Sequence, residues 1–318
     1  MSAAPRIALV GAGTLLAREV YRGLLERGLS KEDLLTFGER PGGWEVAVTE
    51  EEGDLFLPLT GEYLEGCGTV FLCTGDPAAR EAVGGWASAS GALLLDLGTP
   101  PGEGDLLFDP FSGPLPPEAR RRPLRFPEPE SLFLGLLLRG VPEGILGPVQ
   151  VHLLASASRR GEEAVRELMR QSAALLSFQG SGTPASGRRL AFALHPEEGG
   201  TERDGFGREV CRVAGRTLSL SWARVETPLF HGASLSALLS VGDALEAEQA
   251  LLSGARGPFR VLEGSSWGEL EGGEVPETPL LGLRVLSDET LWLWMGLDPL
   301  RSGKPWMAIK AFEALTHP

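Results

Sequence analysis

Residues 6–26 read RIALVGAGTLLAREVYRGLLE, and this stretch decides the fold. The apolar run 6–10 predicts a buried parallel strand, because such strands are covered on both faces. The segment after GAGT carries apolar residues at helical spacing and ends at Gly28. A strand, a glycine-containing turn and a helix in this order predict the first unit of a doubly wound α/β sheet.

The pattern repeats along the first part of the chain. LLTFG, TVFLCTG and ALLLDLG predict further buried strands, and AAREAVGGWASASG predicts a helix between the last two. A polar, glycine-rich stretch follows LLTFG. Strands that alternate with helices through short connections favour right-handed βαβ units. We therefore expect a Rossmann-type, doubly wound dinucleotide-binding domain over residues 1–128.

The pattern changes near residue 149. PVQVHLLASAS predicts a strand and GEEAVRELMRQSAALLSF an amphipathic helix; RLAFALHP, TLSLSWARVETPLF and LGLRVLSDETLWLWMGLD then predict long strands. We expect an α+β dimerisation domain over residues 129–300, with a mostly antiparallel sheet that the amphipathic helix covers on one face. The stretch 264–279 predicts a surface loop, and residues 301–318 predict a helix that packs back on the first domain.

Composition excludes several classes of function. The formal net charge of −14 opposes binding to nucleic acid or to an anionic membrane. The basic cluster 120–122 lies in a proline-rich loop and is interpreted as a solvated face, and no apolar run has membrane-spanning length. Cys67, Cys73 and Cys211 are scattered, which is typical of a reducing cytoplasm, so we expect a cytoplasmic protein without disulfides.

The turn GAGT has two interpretations. Read as G-x-G-x-x-G, it has Gly11 and Gly13 in the first two positions but Leu16 in the third. Read as G-x-x-G-x-x-G, it has Gly11, Thr14 and Ala17. Glycines let backbone amides approach a pyrophosphate at a helix N-terminus, but a strand-to-helix turn also needs glycine for its own geometry. The sequence leaves both interpretations open.

The order of motifs resembles a known family. GAGTLLARE, FLCTGDPAARE, GALLLDLGTPP, FPEPES, SASRRGEEAVREL, LAFALHP, RVETPLFHGAS and LDPLRSGKPWMAIKAFEAL occur in the order expected of aspartate-semialdehyde dehydrogenases. The resemblance runs from residue 6 to the end of the chain. It implies an NADP-binding Rossmann domain, a catalytic and dimerisation domain, and reduction of an acyl phosphate to an aldehyde through a cysteine thioester.

The resemblance also implies a cofactor site. The matching positions are Gly11, Gly13, Thr14, Leu15, Arg40, Thr74 and Gly75. The side chain of Thr14 narrows the approach of a phosphate, so we expect NADP binding to be weak or absent. Arg40 follows the second strand, where it is either a partner for the 2′-phosphate of NADP or a solvated loop residue.

The positions that carry the family's chemistry hold other residue types. Pro129 stands in place of the nucleophilic cysteine, and Ala233 in place of the acid–base histidine. Glu226 replaces the arginine that holds the substrate carboxylate, and Ala155 replaces the glutamine that orients the thioester. In LGTPP, prolines 100 and 101 stand where the family's phosphate-binding segment has its arginine. We expect no catalytic residue of the family to be retained.

Other residues were considered as replacements. His231 lies two residues before Ala233, and on a strand that spacing returns to the same face, although a lone histidine at a strand end is more often a packing residue. Cys211 lies in a polar segment between two arginines, which lowers a thiol pKa, but no base is near it in sequence. Cys67 and Cys73 are interpreted as core thiols. No cluster has zinc-ligand spacing.

The helix that begins in FPEPES is predicted to be well capped rather than reactive. Proline is favoured at the first helical position, and Glu128 and Glu130 complement the positive end of the helix dipole. Acidic groups at that end oppose a bound phosphate. The segment predicts a helix start that has been adapted for stability.

Two functions in different classes follow from the sequence. The first is a non-catalytic, dimeric homologue that acts in binding or regulation. The second is an active NAD(P)-dependent oxidoreductase that acts on an aldehyde or an acyl phosphate in amino-acid biosynthesis. The related N-acetyl-glutamyl-phosphate reductases need the same cysteine and histidine, so the missing side chains argue equally against that activity.

Alternation in the later strands predicts a homodimer. Leu218, Leu220 and Trp222 share one face of their strand, and Leu291, Leu293 and Met295 share one face of another. Trp292 and Trp294 lie on the opposite face, where two indoles need cover. A second copy of the chain or the loop 264–279 could supply that cover. The resemblance implies dimerisation through this domain.

Overall fold

A computed structural model of the protein describes residues 6–41, 45–48, 53–113, 115, 117–178, 188–197, 205–255, 258–262 and 278–316. The chain divides into two compact units. Unit 1 comprises Met1–Pro127 and Gly303–Pro318, and unit 2 comprises Glu128–Ser302. Most of the stretch 264–279, which was predicted to be a surface loop, lies outside the described residues.

The strands and helices follow one another in a regular order. The strands are β1 (Arg6–Val10), β2 (Leu34–Pro41), β3 (Glu45–Val48), β4 (Gly53–Leu59), β5 (Cys67–Leu72), β6 (Leu93–Asp96), β7 (Leu106–Leu107), β8 (Leu124–Arg125), β9 (Leu146–Ala155), β10 (His195–Pro196), β11 (Leu220–Glu226), β12 (Ala233–Val241), β13 (Arg260–Val261), β14 (Leu280–Ser287) and β15 (Thr290–Leu297). The helices are α1 (Leu15–Glu26), α2 (Gly61–Leu64), α3 (Pro77–Ser90), α4 (Pro129–Arg139), α5 (Glu162–Leu176), α6 (Phe206–Ala214), α7 (Ala244–Gly254) and α8 (Lys304–Thr316). Short 3₁₀ helices are η1 (Lys31–Asp33), η2 (Pro117–Arg120) and η3 (Ala157–Arg160).

Unit 1 is built on one sheet. Among the described residues its eight strands have the order β3-β4-β2-β1-β5-β6-β8-β7, and all pairs are parallel except β3 with β4. Residues 7–10 of β1 are buried, as the continuous apolar run predicted. The Rossmann-type prediction is therefore confirmed. Strands β3 and β4 were missed, because the sequence analysis assigned the stretch after β2 to a polar loop.

Helix α8 packs against α1 within unit 1. The contact depends on Gly23, since a Cβ atom there would lie 2.5 Å from Cδ1 of Ile309. Arg27 of α1 donates to the Glu313 carboxylate at 2.5 Å, close to this contact. The last helix therefore belongs to the core of unit 1.

Unit 2 contains the second sheet. Its described strands have the order β10-β11-β9-β12-β15-β14-β13, and only the pairs β11–β9 and β14–β13 are parallel, so the mostly antiparallel prediction is confirmed. Burial alternates along the central strands, which gives one apolar inner face. Helix α6 packs on β11, and α7 packs on β14 and β15. The sequence predicted cover from the helix α5, and the cover from α6 and α7 was not predicted. The segment that contains Cys211, which was interpreted only as polar, forms the helix α6.

The outer face of this sheet carries the two indoles. Trp292 and Trp294 are half-buried, and Leu238 is 39% exposed. The indole N–H of Trp292 donates to Oγ of Ser236 at 2.9 Å, and this bond holds the ring against the neighbouring strand. The predicted separation of indoles from aliphatic residues on β15 is confirmed.

One predicted strand is largely absent. Of RLAFALHP, only His195–Pro196 forms a strand, β10, and Phe192 has a φ of 56°. A left-handed residue cannot continue a strand, so the apolar alternation of this stretch does not reflect a sheet.

Within the described ranges, no helix has both the length and the apolar character needed to cross a membrane. Within the same ranges, no group of three or more histidine, cysteine or acidic side chains is arranged to hold a metal ion. The cytoplasmic location stays a prediction.

Candidate functional site

The turn after β1 combines a left-handed glycine with a helix cap. Gly11 has a φ of 80°, a left-handed conformation that favours glycine. Thr14 is the N-cap of α1, and its side-chain oxygen accepts from the amide of Ala17 at 3.1 Å. The same hydroxyl lies 2.9 Å from the carbonyl oxygen of Gly11, to which it donates. Thr14 therefore closes the turn and starts the helix.

Protein oxygens already accept from several amides of this turn. The amides of Gly11 and Ala12 donate to the carbonyl of Phe37 at 3.1 and 3.0 Å, and the amide of Thr14 donates to Gly11 at 3.0 Å. A pyrophosphate would need such amides to point at its oxygens. The hydrogen bonds of the turn stabilise it without a ligand.

The loop after β5 meets the turn, so the two predicted cofactor-binding segments lie together. A Cβ atom on Gly11 would be 2.9 Å from Cβ of Thr74, which is 5% exposed. Gly98, after β6, approaches the same loop so closely that a Cβ atom there would lie 2.1 Å from the carbonyl oxygen of Thr74. Gly75 is exposed, and the next residue, Asp76, caps α3 by accepting from the amide of Ala79 at 2.9 Å.

A residue that the sequence analysis missed lies beside Gly13. The ring of Phe56, on β4, is 6% exposed, and a Cβ atom on Gly13 would meet it at 3.8 Å. Phe56 was not predicted to lie there because strand β4 was not predicted. A residue that is placed in a polar loop gives no indication of such a contact. Leu15 is the first residue of α1. Arg40 lies on β2, and its side chain is outside the described residues.

In unit 2, helix α4 begins at Pro129, the residue that the sequence resemblance assigned to the place of the nucleophile. Pro129 is buried, and the backbone N–H of Glu128 donates to the Glu209 carboxylate at 2.7 Å. Glu130 is 4% exposed. Burial raises the pKa of the Glu130 carboxyl, and the charge of Glu128 raises it further. Desolvation thus opposes the stabilisation of the helix start that was predicted for the Glu130 charge.

Three of the positions that match family chemistry lie in one row of the second sheet. Ala155 on β9 is paired with Glu226 on β11 and with Ala233 on β12. Cross-strand neighbours point to the same side of a sheet, so these three side chains share the inner face. Ala155 is 3% and Ala233 is 6% exposed. Residues that are far apart in sequence thus form one contiguous site.

The row continues to a histidine that the sequence analysis missed. His195 on β10 is paired with Glu226, and its Nε2 lies 2.6 Å from the carbonyl oxygen of Arg189. The carboxylate of Glu226 is 3.6 Å from Arg160 and also forms an ion pair with Arg188. Arg160, His195 and Glu226 are among the residues that line a small cavity, with a volume of about 20 Å³. The motif LAFALHP contained the signal, but the histidine was read as part of a strand pattern.

The remaining candidates lie elsewhere. His231 is exposed in a bend before β12, so the argument that strand alternation places it on the face of Ala233 does not hold. Burial raises the pKa of the Cys73 thiol far above its usual range, and the nearby charge of Asp96 adds to the effect. Burial also raises the pKa of Cys67. Cys211 is half-buried on α6.

Comparison with known proteins gives one consistent family. No protein-family model matches the chain. The chain is 22% identical to the aspartate-semialdehyde dehydrogenase of Rickettsia conorii, in a match that covers 98% of this chain and 97% of that enzyme. It is 24% identical to the enzyme of Rickettsia bellii over 52% of this chain and 54% of that one. The chain is thus similar to aspartate-semialdehyde dehydrogenases over almost its whole length.

Solved aspartate-semialdehyde dehydrogenases have the same fold. The structure of aspartate semialdehyde dehydrogenase II from Vibrio cholerae matches 98% of both chains with a TM-score of 0.78 and 18% identity. A probable aspartate-semialdehyde dehydrogenase from Pseudomonas aeruginosa matches 98% of both chains with a TM-score of 0.71 and 20% identity. The family fold is thus present in both units.

Proposed function

We propose that this protein is a non-catalytic member of the aspartate-semialdehyde dehydrogenase family that acts as a dimeric binding or regulatory protein. The observation that carries the proposal is the row formed by Glu226, Ala155 and Ala233. Neither alanine can accept or donate a proton, and neither can orient an acyl group by hydrogen bonding. The loss affects adjacent positions of one site, which supports a change of role rather than isolated substitutions.

The start of α4 supports the same proposal. The reaction that the family resemblance implies needs a thiolate to attack an acyl carbon, and the ring of Pro129 has no lone pair that could do so. Glu130, in the next position, is buried with a raised pKa. Its surroundings include Arg224 and Arg159, whose charges lower that pKa and only partly offset burial. The start of α4 therefore contains a buried carboxyl group, that of Glu130, at the place where the resemblance implies that an acyl phosphate reacts.

Electrostatics at the row also oppose an anionic substrate. Arg160 and Arg188 are the cations nearest to Glu226, and both form ion pairs with its carboxylate. A substrate carboxylate would have to displace Glu226 from these partners.

The cofactor that the family implies is NADP, and the turn after β1 fits it poorly. Several turn amides donate to protein oxygens, and the Phe56 ring lies beside Gly13. Thr14 occupies the position at which the backbone of a nucleotide-binding turn approaches the pyrophosphate. Its role as the helix cap explains why this position has a side chain. We infer that NADP binding is weak or absent. Titration of NADPH by calorimetry tests this inference, and a dissociation constant in the micromolar range would contradict it.

One observation favours the second candidate function, an active NAD(P)-dependent oxidoreductase that acts on an aldehyde or an acyl phosphate. The strand–turn–helix unit is intact, with Gly11 left-handed and Thr74 directly against it. Such a turn remains compatible with a dinucleotide if the amides rearrange. Tight NADPH binding together with turnover of another aldehyde would favour this candidate.

A direct assay decides between the two. We expect no phosphate-dependent reduction of NADP with aspartate semialdehyde above the rate without protein. A matched active enzyme, such as the Rickettsia conorii relative, serves as the positive control for the substrate preparation. Turnover that scales with protein concentration and survives further purification would refute the proposal.

We propose that the assembly is a homodimer through the outer face of the second sheet. The indoles of Trp292 and Trp294 and the side chain of Leu238 form an amphipathic surface on adjacent strands. A second copy of the same face would bury it symmetrically, as in most homodimers. We expect light scattering to give about twice the chain mass.

A charged substitution locates the interface. Leu238→Arg places a cation on the outer face and should convert the dimer to a monomer with little loss of fold. Leu245→Arg is the matched control, because Leu245 is 63% exposed on α7 and lies away from that face. A dimer that resists Leu238→Arg, or a wild-type monomer, would refute this interface.

A further inference from the structure

Unit 1 contains a cavity that none of the family positions explains. It has a volume of about 370 Å³ and lies between α3 and the ends of β5, β6 and β8. Its apolar floor is formed by Leu72 and Leu94, which are 1% and 5% exposed. Binding sites for small molecules are typically concave, apolar and of this size.

The connectivity of the sheet explains why the cavity is there. Strands β5, β6 and β8 are parallel neighbours, so right-handed crossovers place both connections on the α3 face. The connection from β5 to β6 contains the fourteen-residue helix α3. In its described part, the connection from β6 to β8 contains only the two-residue β7 and the four-residue η2. The described elements of the second connection are therefore too short to cover the part of the sheet that lies beside α3.

The charged groups of the lining are balanced in sign. Arg80 and Arg125 are positive, and Glu81 and Asp96 are negative. Arg125 is engaged by the protein: its Nε lies 2.9 Å from Asp105, and its Nη2 lies 3.4 Å from Asp96. Arg80 projects from the exposed side of the first turn of α3, where the helix dipole adds positive potential.

Asp96 gives the cavity its polar centre. It is 3% exposed, and it accepts from the amide of Thr99 at 3.1 Å. The side chain of Thr99 and the charges of Arg125 and Arg80 also act on this carboxylate. A carboxylate has about four lone-pair positions, so these partners leave room for a further donor. A ligand with a net charge would meet a repelling group in this lining, whereas a zwitterion can satisfy both signs.

We propose that this cavity binds a small zwitterion, namely an α-amino acid with an aliphatic side chain. The carboxylate of the ligand pairs with Arg80, and its ammonium group pairs with Asp96. The aliphatic side chain lies over Leu72 and Leu94. The site is independent of the proposed loss of catalysis, because all its lining residues belong to unit 1.

Two adjacent glycines of α3 provide a matched pair of variants. A Cβ atom on Gly84 or on Gly85 would have no heavy atom within 4 Å, so both positions accept a larger side chain without a clash. Gly84 lines the cavity, whereas Gly85 is exposed beside it. Gly84→Leu should fill the cavity, and Gly85→Leu should leave it open. Both replace a helical glycine, so their effects on folding should be alike.

The experiment is calorimetric titration of the full chain with L-leucine. We expect saturable binding to wild type and Gly85→Leu, and binding that is lost in Gly84→Leu. Arg80→Gln should weaken binding by about tenfold or more, the usual effect of losing a charge-assisted hydrogen bond. Unfolding midpoints without ligand verify that the variants are folded.

Ligand analogues test the zwitterion itself. 4-Methylpentanoate lacks the ammonium group of L-leucine and 3-methylbutylamine lacks its carboxylate, so each should bind about tenfold or more weakly than L-leucine. Equal binding of either analogue would overturn the assignment of a zwitterion. Equal binding of L-leucine to Gly84→Leu would overturn the site, and no binding to wild type would overturn the proposal.

Discussion

The turn after β1 in unit 1 and the row at the ends of β9, β11 and β12 in unit 2 differ in what their residues do for the fold. Gly11 and Thr14 are needed by the turn itself, the first for its left-handed backbone and the second as a helix cap. Ala155 and Ala233 only fill space on the inner face of a sheet. The comparison teaches that a turn can keep its shape because its residues serve folding, whereas positions that only fill space in a sheet do not depend on one side-chain chemistry.

The largest expected effect concerns the turn. Gly11→Ala should lower the free energy of unfolding by about 3 kcal/mol, because it adds a left-handed penalty to a clash with Thr74. Chemical denaturation monitored by tryptophan fluorescence measures the change. The result should be the same with and without NADPH if the turn serves folding alone.

Gly28→Ala is the control for this variant. Gly28 also has a positive φ, 87°, but a Cβ atom there would meet nothing within 4 Å. We expect a cost of about 1 kcal/mol, from the backbone alone. An equal loss in the free energy of unfolding for Gly11→Ala and Gly28→Ala would show that the packing of Gly11 against Thr74 contributes nothing. The contrast between the turn and the row of the second sheet would then be refuted.

A smaller effect is expected at the start of α4. Glu130→Gln should raise the free energy of unfolding at pH 8 by about 1 kcal/mol, because it removes a buried charge that its neighbours only partly offset. The pKa of Glu130 is raised in the folded state, so its contribution is favourable below the unfolded carboxyl pKa and is lost as pH rises through the folded value. The gain from the variant should therefore disappear near pH 4.

Glu313, in unit 1, should behave in the opposite way. Burial acts to raise the pKa of Glu313, but hydrogen bonds from Lys310 and Arg27 outweigh it, so the pKa is lowered. Glu313→Gln should cost about 0.5 kcal/mol at neutral pH, since the side chain is partly exposed. That cost should vanish as pH falls through the folded pKa. Equal signs for the two variants would refute the electrostatic contrast between the units.

The smallest expected effect is on activity. Pro129→Cys should yield no measurable aspartate-semialdehyde dehydrogenase activity, because Ala155, Glu226 and Ala233 remain and catalytic groups act as a unit. A thiol-reactive chromophore verifies whether the new cysteine is accessible. Activity from this single substitution would show that the row still supports the reaction.

The sequence predicted the parts of the fold that follow from continuous or alternating apolar runs. The strands β1, β5 and β6 are such runs, and the alternation on β15 correctly separated indoles from aliphatic residues. Strand β4 was missed because it follows an acidic stretch and contains Pro58. Helix α6 was missed because its buried residues, among them Phe206 and Val210, are separated by arginine and glutamate.

The candidate site was only partly predictable for a different reason. Family motifs located Ala155, Glu226 and Ala233 one at a time, but only strand pairing shows that they are neighbours. The same pairing brings His195 to Glu226, which no local pattern could indicate. The burial of Glu130, which raises the pKa of its carboxyl, likewise depends on packing that a helix-dipole argument from sequence does not include.

The contact between Gly23 and Ile309 has a consequence for synthesis of the chain. Met307, Ala308 and Ile309 are at most 3% exposed, so they belong to the core of unit 1, although they are translated after all of unit 2. Unit 2 is continuous in sequence, so none of its residues has to wait for helix α8. We expect unit 1 to complete its core only after unit 2 has been synthesised, so the unit whose first strand is made earliest receives its last core residues latest.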